Sequence, residues 1–144
     1  MITGDALRGL LPHAGAMCLL EEVSDWSMEA ITCTTASHLS PDNPLRRAGQ
    51  LATLCGAEYG LQAAAIHGAL RDGGKAQPAG YLSGLTLSHI GVPRLDDPAF
   101  GRLQVQARIE LADRRGLIYG FSLSAMDGLL VLQGRGTILF AHEE

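Results

Sequence analysis

The chain has 144 residues, of which 47% are apolar and 18% charged, with a formal net charge of −4. That length favours one domain, residues 1–144, with room for one sizeable core, and the balance is that of a globular chain rather than a disordered one. The acidic balance argues against bulk nucleic-acid binding, which needs a basic surface. Cys18, Cys33 and Cys55 are widely spaced with no CxxC pair, so neither a zinc site nor a disulfide framework is expected, and a reducing, cytoplasmic setting fits. Met1–Leu11 has no basic start followed by a long apolar run, so no signal peptide is expected. No motif calls for a metal or a cofactor.

In chain order, Asp5–Leu11 can form one or two helical turns before Pro12 stops them. Met17–Val23 is an apolar run ending in Glu21-Glu22-Val23, and Ser24–Ser27 reads as a turn. Ala30–Thr35 is β-branched and weakly alternating, which predicts a strand. Ser37–Arg47, with Pro41, Asp42, Asn43 and Pro44, reads as a loop.

Gln50–Leu70 then runs without a proline and is rich in Leu and Ala, both strong helix formers. At ~100° per residue, one face gathers Leu51, Leu54, Cys55, Glu58, Leu61, Gln62, Ala65, Ile66 and Ala69. Gly56, Gly60, Ala63 and Ala64 fall on the far side. A helix that is apolar or small all round is buried in a core or in a membrane. Glu58, Gln62 and the glycines speak against a membrane span, because a carboxylate at mid-span is costly. The glycines are tolerated if another backbone approaches closely, as a wrapping sheet would. Leu54 is expected to be core, so Leu54→Asp is expected to prevent folding.

Gly73-Gly74 ends the helix. Gly80–His89 predicts a strand with Gly84 as a bulge. Leu103–Leu111 and Leu117–Met126 alternate between apolar and polar residues, Asp127-Gly128 is a hairpin signal, and Leu129–Phe140 predicts a last strand. Two short strands, one long helix and four strands make an α+β chain. An antiparallel sheet with one apolar face must cover it, and the simplest cover is the one helix. This predicts a curved antiparallel sheet wrapped around a central helix, the hotdog fold.

Leu11-Pro12-His13, then Met17 and Leu19-Leu20-Glu21-Glu22-Val23, resembles the opening of bacterial 3-hydroxyacyl-carrier-protein dehydratases. Gly56-Ala57-Glu58-Tyr59-Gly60-Leu61-Gln62, followed by Ala65 and His67-Gly68, resembles a divergent branch of that group. That branch is the ApeP-like hotdog proteins of aryl-polyene and related fatty-acid-type pathways. Gly80-Tyr81-Leu82-Ser83-Gly84 and the Asp127-Gly128 hairpin extend the likeness over nearly the whole chain. The resemblance implies a dimer, homodimeric or heterodimeric with another hotdog subunit, with an acyl-pantetheine tunnel between subunits. It also implies a dyad of one His and one acidic residue. Glu58 with Gln62 matches the helical carboxylate and its Gln. His38 is the nearest match to the His that precedes that helix, without the flanking Gly and Phe-Pro and with a longer stretch from Pro44 to Glu58.

Dehydrating a 3-hydroxyacyl thioester needs a base for the α-proton, an acid for the departing hydroxyl and donors for the thioester oxygen. A neutral His suits the first role, and a carboxyl group kept protonated by an apolar wall suits the second. Glu58 is therefore the candidate acid and His38 the candidate base, with His13, His67, His89 and His142 as the other histidines. Nine residues past Glu58, His67 points to the opposite helical face. Gln62, Tyr59 and Gly84 are expected to bind substrate, and Arg46 and Arg47 to meet a pantetheine phosphate or an acidic carrier protein. The expected substrate is an acyl-carrier-protein or coenzyme A thioester. A hotdog thioesterase and a non-catalytic subunit that binds acyl chains or carrier protein are the alternatives.

Overall fold

The computed structural model describes residues 1–11, 18–75 and 80–140. Its strands are β1 (Ile2–Thr3), β2 (Glu22–Trp26), β3 (Ala30–Thr35), β4 (Gly80–Ile90), β5 (Leu103–Ala112), β6 (Gly116–Ser124) and β7 (Leu130–Phe140). Its helices are α1 (Gly4–Arg8) and α2 (Gly56–Arg71). All seven strands form one antiparallel sheet in the order β1-β2-β3-β5-β6-β7-β4. β5, β6 and β7 form a meander joined by short turns. β3 closes on β5, and β4, the strand after the helix, lies on the outer edge beside β7.

Alternation sets the faces. Leu103, Val105 and Ala107 of β5 are buried while Gln104, Gln106 and Arg108 are exposed, and Ile31, Cys33 and Thr35 repeat the pattern on β3. The inner face wraps α2, as a hotdog fold requires. Gly84 follows a register shift between Leu82 and Gly84, the bulge expected from its glycine. Gly73 and Gly74, both at positive φ, follow the end of α2.

Three sequence expectations are corrected. Ser24 and Asp25 belong to β2 rather than a turn, with a bulge between Val23 and Asp25. The helix begins at Gly56, not Gln50. A tight turn closed by the Arg47–Gln50 bridge, with Ala48 and Gly49 at positive φ, and a bridge from Ala52 to Arg94 hold the preceding segment out of the helix, and a single 3-10 turn, Thr53–Cys55, leads into α2. The face that α2 buries is the small one: Gly56, Ala57, Gly60, Ala63 and Ala64 are buried with Tyr59 and Ile66, whereas Leu61 and Ala65 are half-buried and Leu54 is 59% exposed. An Asp at 54 meets water, so the expected failure of Leu54→Asp to fold does not follow. The reason is size. The sheet curves tightly enough that a Cβ on Gly60 would overlap Cγ and Cδ2 of Phe121, so no side chain fits at that point of closest approach.

The edge strand is unusual. On β4, Leu82, Leu85 and Ile90 are 48%, 40% and 56% exposed, and its 11 residues include no Lys, Arg, Asp, Glu or Pro. Natural edges are normally blunted by such residues.

Candidate active site

His38 sits in a 3-10 turn, Ser37–Leu39, between β3 and the segment leading to α2. The turn is held from every side. Ser37 Oγ donates to Leu19 O at 2.6 Å and lies 2.9 Å from Tyr59 Oη; Thr35 Oγ1 donates to Leu19 O at 2.7 Å. Asn43 Nδ2 donates to Ser37 O and to Tyr59 Oη, both at 2.9 Å. Tyr59 is fully buried and directs its hydroxyl to this turn. Arg46 Nη2 donates to His38 O at 3.2 Å and Nε to Ser40 O at 2.7 Å. Arg46 is thus committed to the loop, while Arg47 is exposed.

The imidazole at the centre of this scaffold is fully buried, and among the described residues neither Nδ1 nor Nε2 finds a hydrogen-bond partner. Burial lowers the His38 pKa from its ordinary value. The Gly101 backbone opposes that without closing a bond of normal geometry, as do Glu21 and Asp96, while Arg102 reinforces it. The ring is neutral at neutral pH.

Glu58 lies elsewhere, half-buried on the outward stripe of α2 with Leu54 one turn before and Leu61 one turn after. Gln62 Oε1 accepts the Leu19 N–H at 2.9 Å, which turns its amide nitrogen towards Glu58 Oε1 at 3.5 Å. Leu61 Cδ2 of α2 and Leu82 Cδ1 of β4 lie 2.8 and 3.6 Å from where a Cβ on Gly136 would stand. The stripe bearing Glu58 therefore runs into the uncovered inner face of β4. The apolar enclosure expected around Glu58 is only half present in one chain, and no hydrogen bond or ion pair joins Glu58 to His38 among the described residues. Gly84 lies opposite Thr137 on the open edge strand. A trough of about 520 Å³ crosses the outer face of the sheet, past Thr32, Gln106, Arg108 and Ser122; it lies away from both groups.

The other histidines separate. His67 Nε2 donates to Ser27 O at 2.7 Å, so Nδ1 accepts from Tyr119 Oη, also at 2.7 Å. Burial lowers its pKa, Ser27 opposes, and Arg71 adds to the lowering. It pins α2 to the β2–β3 hairpin, on the face away from Glu58 as expected. His89 is exposed on β4; His13 and His142 lie outside the described residues. Burial pushes the Cys33 thiol up to about 12, in keeping with a small core residue. Among the described residues no cluster of His, Cys, Asp or Glu could hold a metal ion, and no helix is long and apolar enough to cross a membrane.

Two buried neutral histidines have a measurable consequence. In the unfolded chain each regains a pKa of about 6.5, so below that pH the unfolded state binds more protons than the folded one. Their stabilisation is complete above about pH 6.5 and declines as pH falls through and below it. The melting temperature is expected to fall between neutral pH and about pH 5, and to fall less in His67→Gln. A flat melting temperature over that range would count against both histidines being buried neutral.

The partners Asp96, Thr35, Ser37 and Asn43 carry no sequence signal beyond turn chemistry. Leu19 and Gln62 are 43 residues apart, and Arg46 and Asp96 are 50 apart.

Comparison with known proteins agrees with this architecture. The dehydratase heterocomplex ApeI:P from Xenorhabdus doucetiae superposes with a TM-score of 0.77 at 22% identity, covering 95% of this chain and 91% of that one. A thioesterase from Haemophilus influenzae gives 0.64 at 15% identity, over 96% and 90%. A hypothetical thioesterase from Streptococcus pneumoniae, solved with coenzyme A, gives 0.60 at 12% identity, over 85% and 87%. No curated protein matches. At these identities the structures establish the hotdog fold. The ApeP-like family, described as ApeP dehydratase, matches residues 6–138, and the chain belongs to that family.

Proposed function

We propose that this protein removes water from a 3-hydroxyacyl thioester, with His38 as base and Glu58 as acid. His38 takes the α-proton, the bond from C3 to its hydroxyl breaks, and Glu58 gives its proton to the leaving oxygen. The products are water and a 2,3-unsaturated thioester. One observation carries the reading: a neutral imidazole, fully buried in a turn fixed on all sides, with no partner at either nitrogen. An unsatisfied buried polar group costs about 1–3 kcal/mol, and a substrate proton is the partner it lacks. Gln62, fixed by Leu19, orients the Glu58 carboxyl.

The acyl group is carried by an acyl-carrier protein or by coenzyme A, and the setting is cytoplasmic, consistent with three free cysteines. Arg47, exposed before the helix, is available to a phosphate or an acidic carrier. His38 and Glu58 do not meet within one chain, and the stripe bearing Glu58 is open along β4. Both features suit a site shared with a second hotdog subunit, another copy or a related chain, paired edge to edge through β4. Sedimentation at low concentration is expected to give at least twice the chain mass; a stable monomer would count against this assembly.

The deciding assay presents the purified protein with 3-hydroxyacyl and acyl thioesters. Loss of water supports the proposal. Hydrolysis would make it a thioesterase in which Glu58 activates water, and neither would make it a subunit that binds acyl chains or carrier protein beside an active partner.

A further inference from the structure

We infer that Arg46, anchored by Asp96, is a positioning residue that aims His38. The inference rests on the reading of His38 as the base. With no hydrogen bond at either ring nitrogen, the aim of the imidazole is set by packing and by its backbone, and the carbonyl of His38 itself is held by one guanidinium. Arg46 donates to the carbonyls of His38 and Ser40, and its Nη1 reaches Gly49 O at 2.8 Å and Asp96 Oδ2 at 3.1 Å. Asp96 is itself buried. Its Oδ1 accepts the Leu51 N–H at 3.1 Å, and Arg94 donates to both its oxygens at 2.9 and 2.6 Å. The Arg94 guanidinium is the main reason the Asp96 carboxyl stays well below the usual carboxylate range, so Asp96 keeps its charge at working pH.

A single fork therefore ties the carbonyl of the residue bearing the imidazole to the segment that starts α2. Lysine cannot replace it, because one ammonium cannot span two carbonyls and a carboxylate in a fixed plane. The charges facing His38 are Glu21, Arg102 and Asp96. Loosening Arg46 admits water to the ring and leaves Asp96 less balanced, and both changes favour the imidazolium.

The test follows the His38 ring by NMR titration of the full chain, assigned with His38→Gln, in wild type, Arg46→Gln, Arg46→Lys and Arg94→Gln. The His38 midpoint is expected to rise towards about 6.5 in both Arg46 variants. It is expected to rise less in Arg94→Gln, which leaves Asp96 less balanced but touches no carbonyl of the turn. In the thioester assay, kcat is expected to fall about tenfold to a hundredfold in the Arg46 variants with KM held, the signature of a misplaced group. The inference is overturned if His38 titrates alike in wild type and the Arg46 variants, or if Arg94→Gln shifts it equally. Inactive wild-type protein would sink the base assignment instead, while the titration still judges Arg46.

Discussion

Glu58→Gln is expected to lower dehydration of a 3-hydroxyacyl thioester by about 10²–10⁴-fold, the usual contribution of general acid–base help. The substitution keeps the shape and the neighbour Gln62 but removes the transferable proton. Glu58 lies on the outward stripe rather than against the chain's own sheet, so the fold should survive and circular dichroism should not change. His38→Ala should cost as much, and the double variant no more than either, because the two groups serve one step. Wild-type activity should decline on the acid side only below the ordinary histidine range, since burial lowers the His38 pKa. Full activity in Glu58→Gln would make Glu58 structural. An active His38→Ala beside an inactive Glu58→Gln would move the base elsewhere: His89 is then next, because His67 already engages Tyr119 and Ser27, with His13 after it.

Gly60→Ala is expected to destabilise the protein although alanine is the better helix former. Helix propensity favours Ala by about 1 kcal/mol, but the new methyl overlaps the Phe121 ring. Phe121 already packs over Gly134 of β7: its Cζ lies 2.9 Å from where a Cβ on Gly134 would stand. Overpacking of this kind costs about 1–3 kcal/mol, occasionally more, so the balance falls on the destabilising side, and Gly60→Val should not fold cooperatively. Urea denaturation decides it. An Ala variant as stable as wild type would show that the sheet can relax away from α2.

The elements of this fold are legible because their periods are clean. Leu103–Leu111 and Leu117–Met126 alternate, and Asp127-Gly128 marks the hairpin from β6 to β7, so the meander follows from local rules. The helix is legible as a helix, and its glycines as the place where the sheet comes close, but not that the stripe of Leu54 and Leu61 is left partly uncovered. Hydrophobicity points to the stripe of Leu54 and Leu61; the structure buries the glycines and alanines, because the distance between α2 and the curved sheet is decided by side-chain size. Glu58, Gln62 and His38 stand out as chemistry-bearing residues in the sequence. The scaffold of His38 does not, because Tyr59, Asn43, Arg46 and Asp96 converge only through long-range contacts, and Ser24-Asp25 reads as a turn because the polarity of an exposed strand and of a turn is the same.

Leu19 belongs to no helix or strand, and its amide would ordinarily trade its hydrogen for deuterium within moments. Here its N–H is held by Gln62 on α2, and its carbonyl is held by Thr35 at the end of β3 and by Ser37 in the His38 turn. These attachments must part together before water reaches that amide. In a deuterium-exchange experiment Leu19 should therefore rank with the slow amides of the central strands. Its rate is a clock for the release of Leu19 from α2 and from the His38 turn, readable with no substrate present.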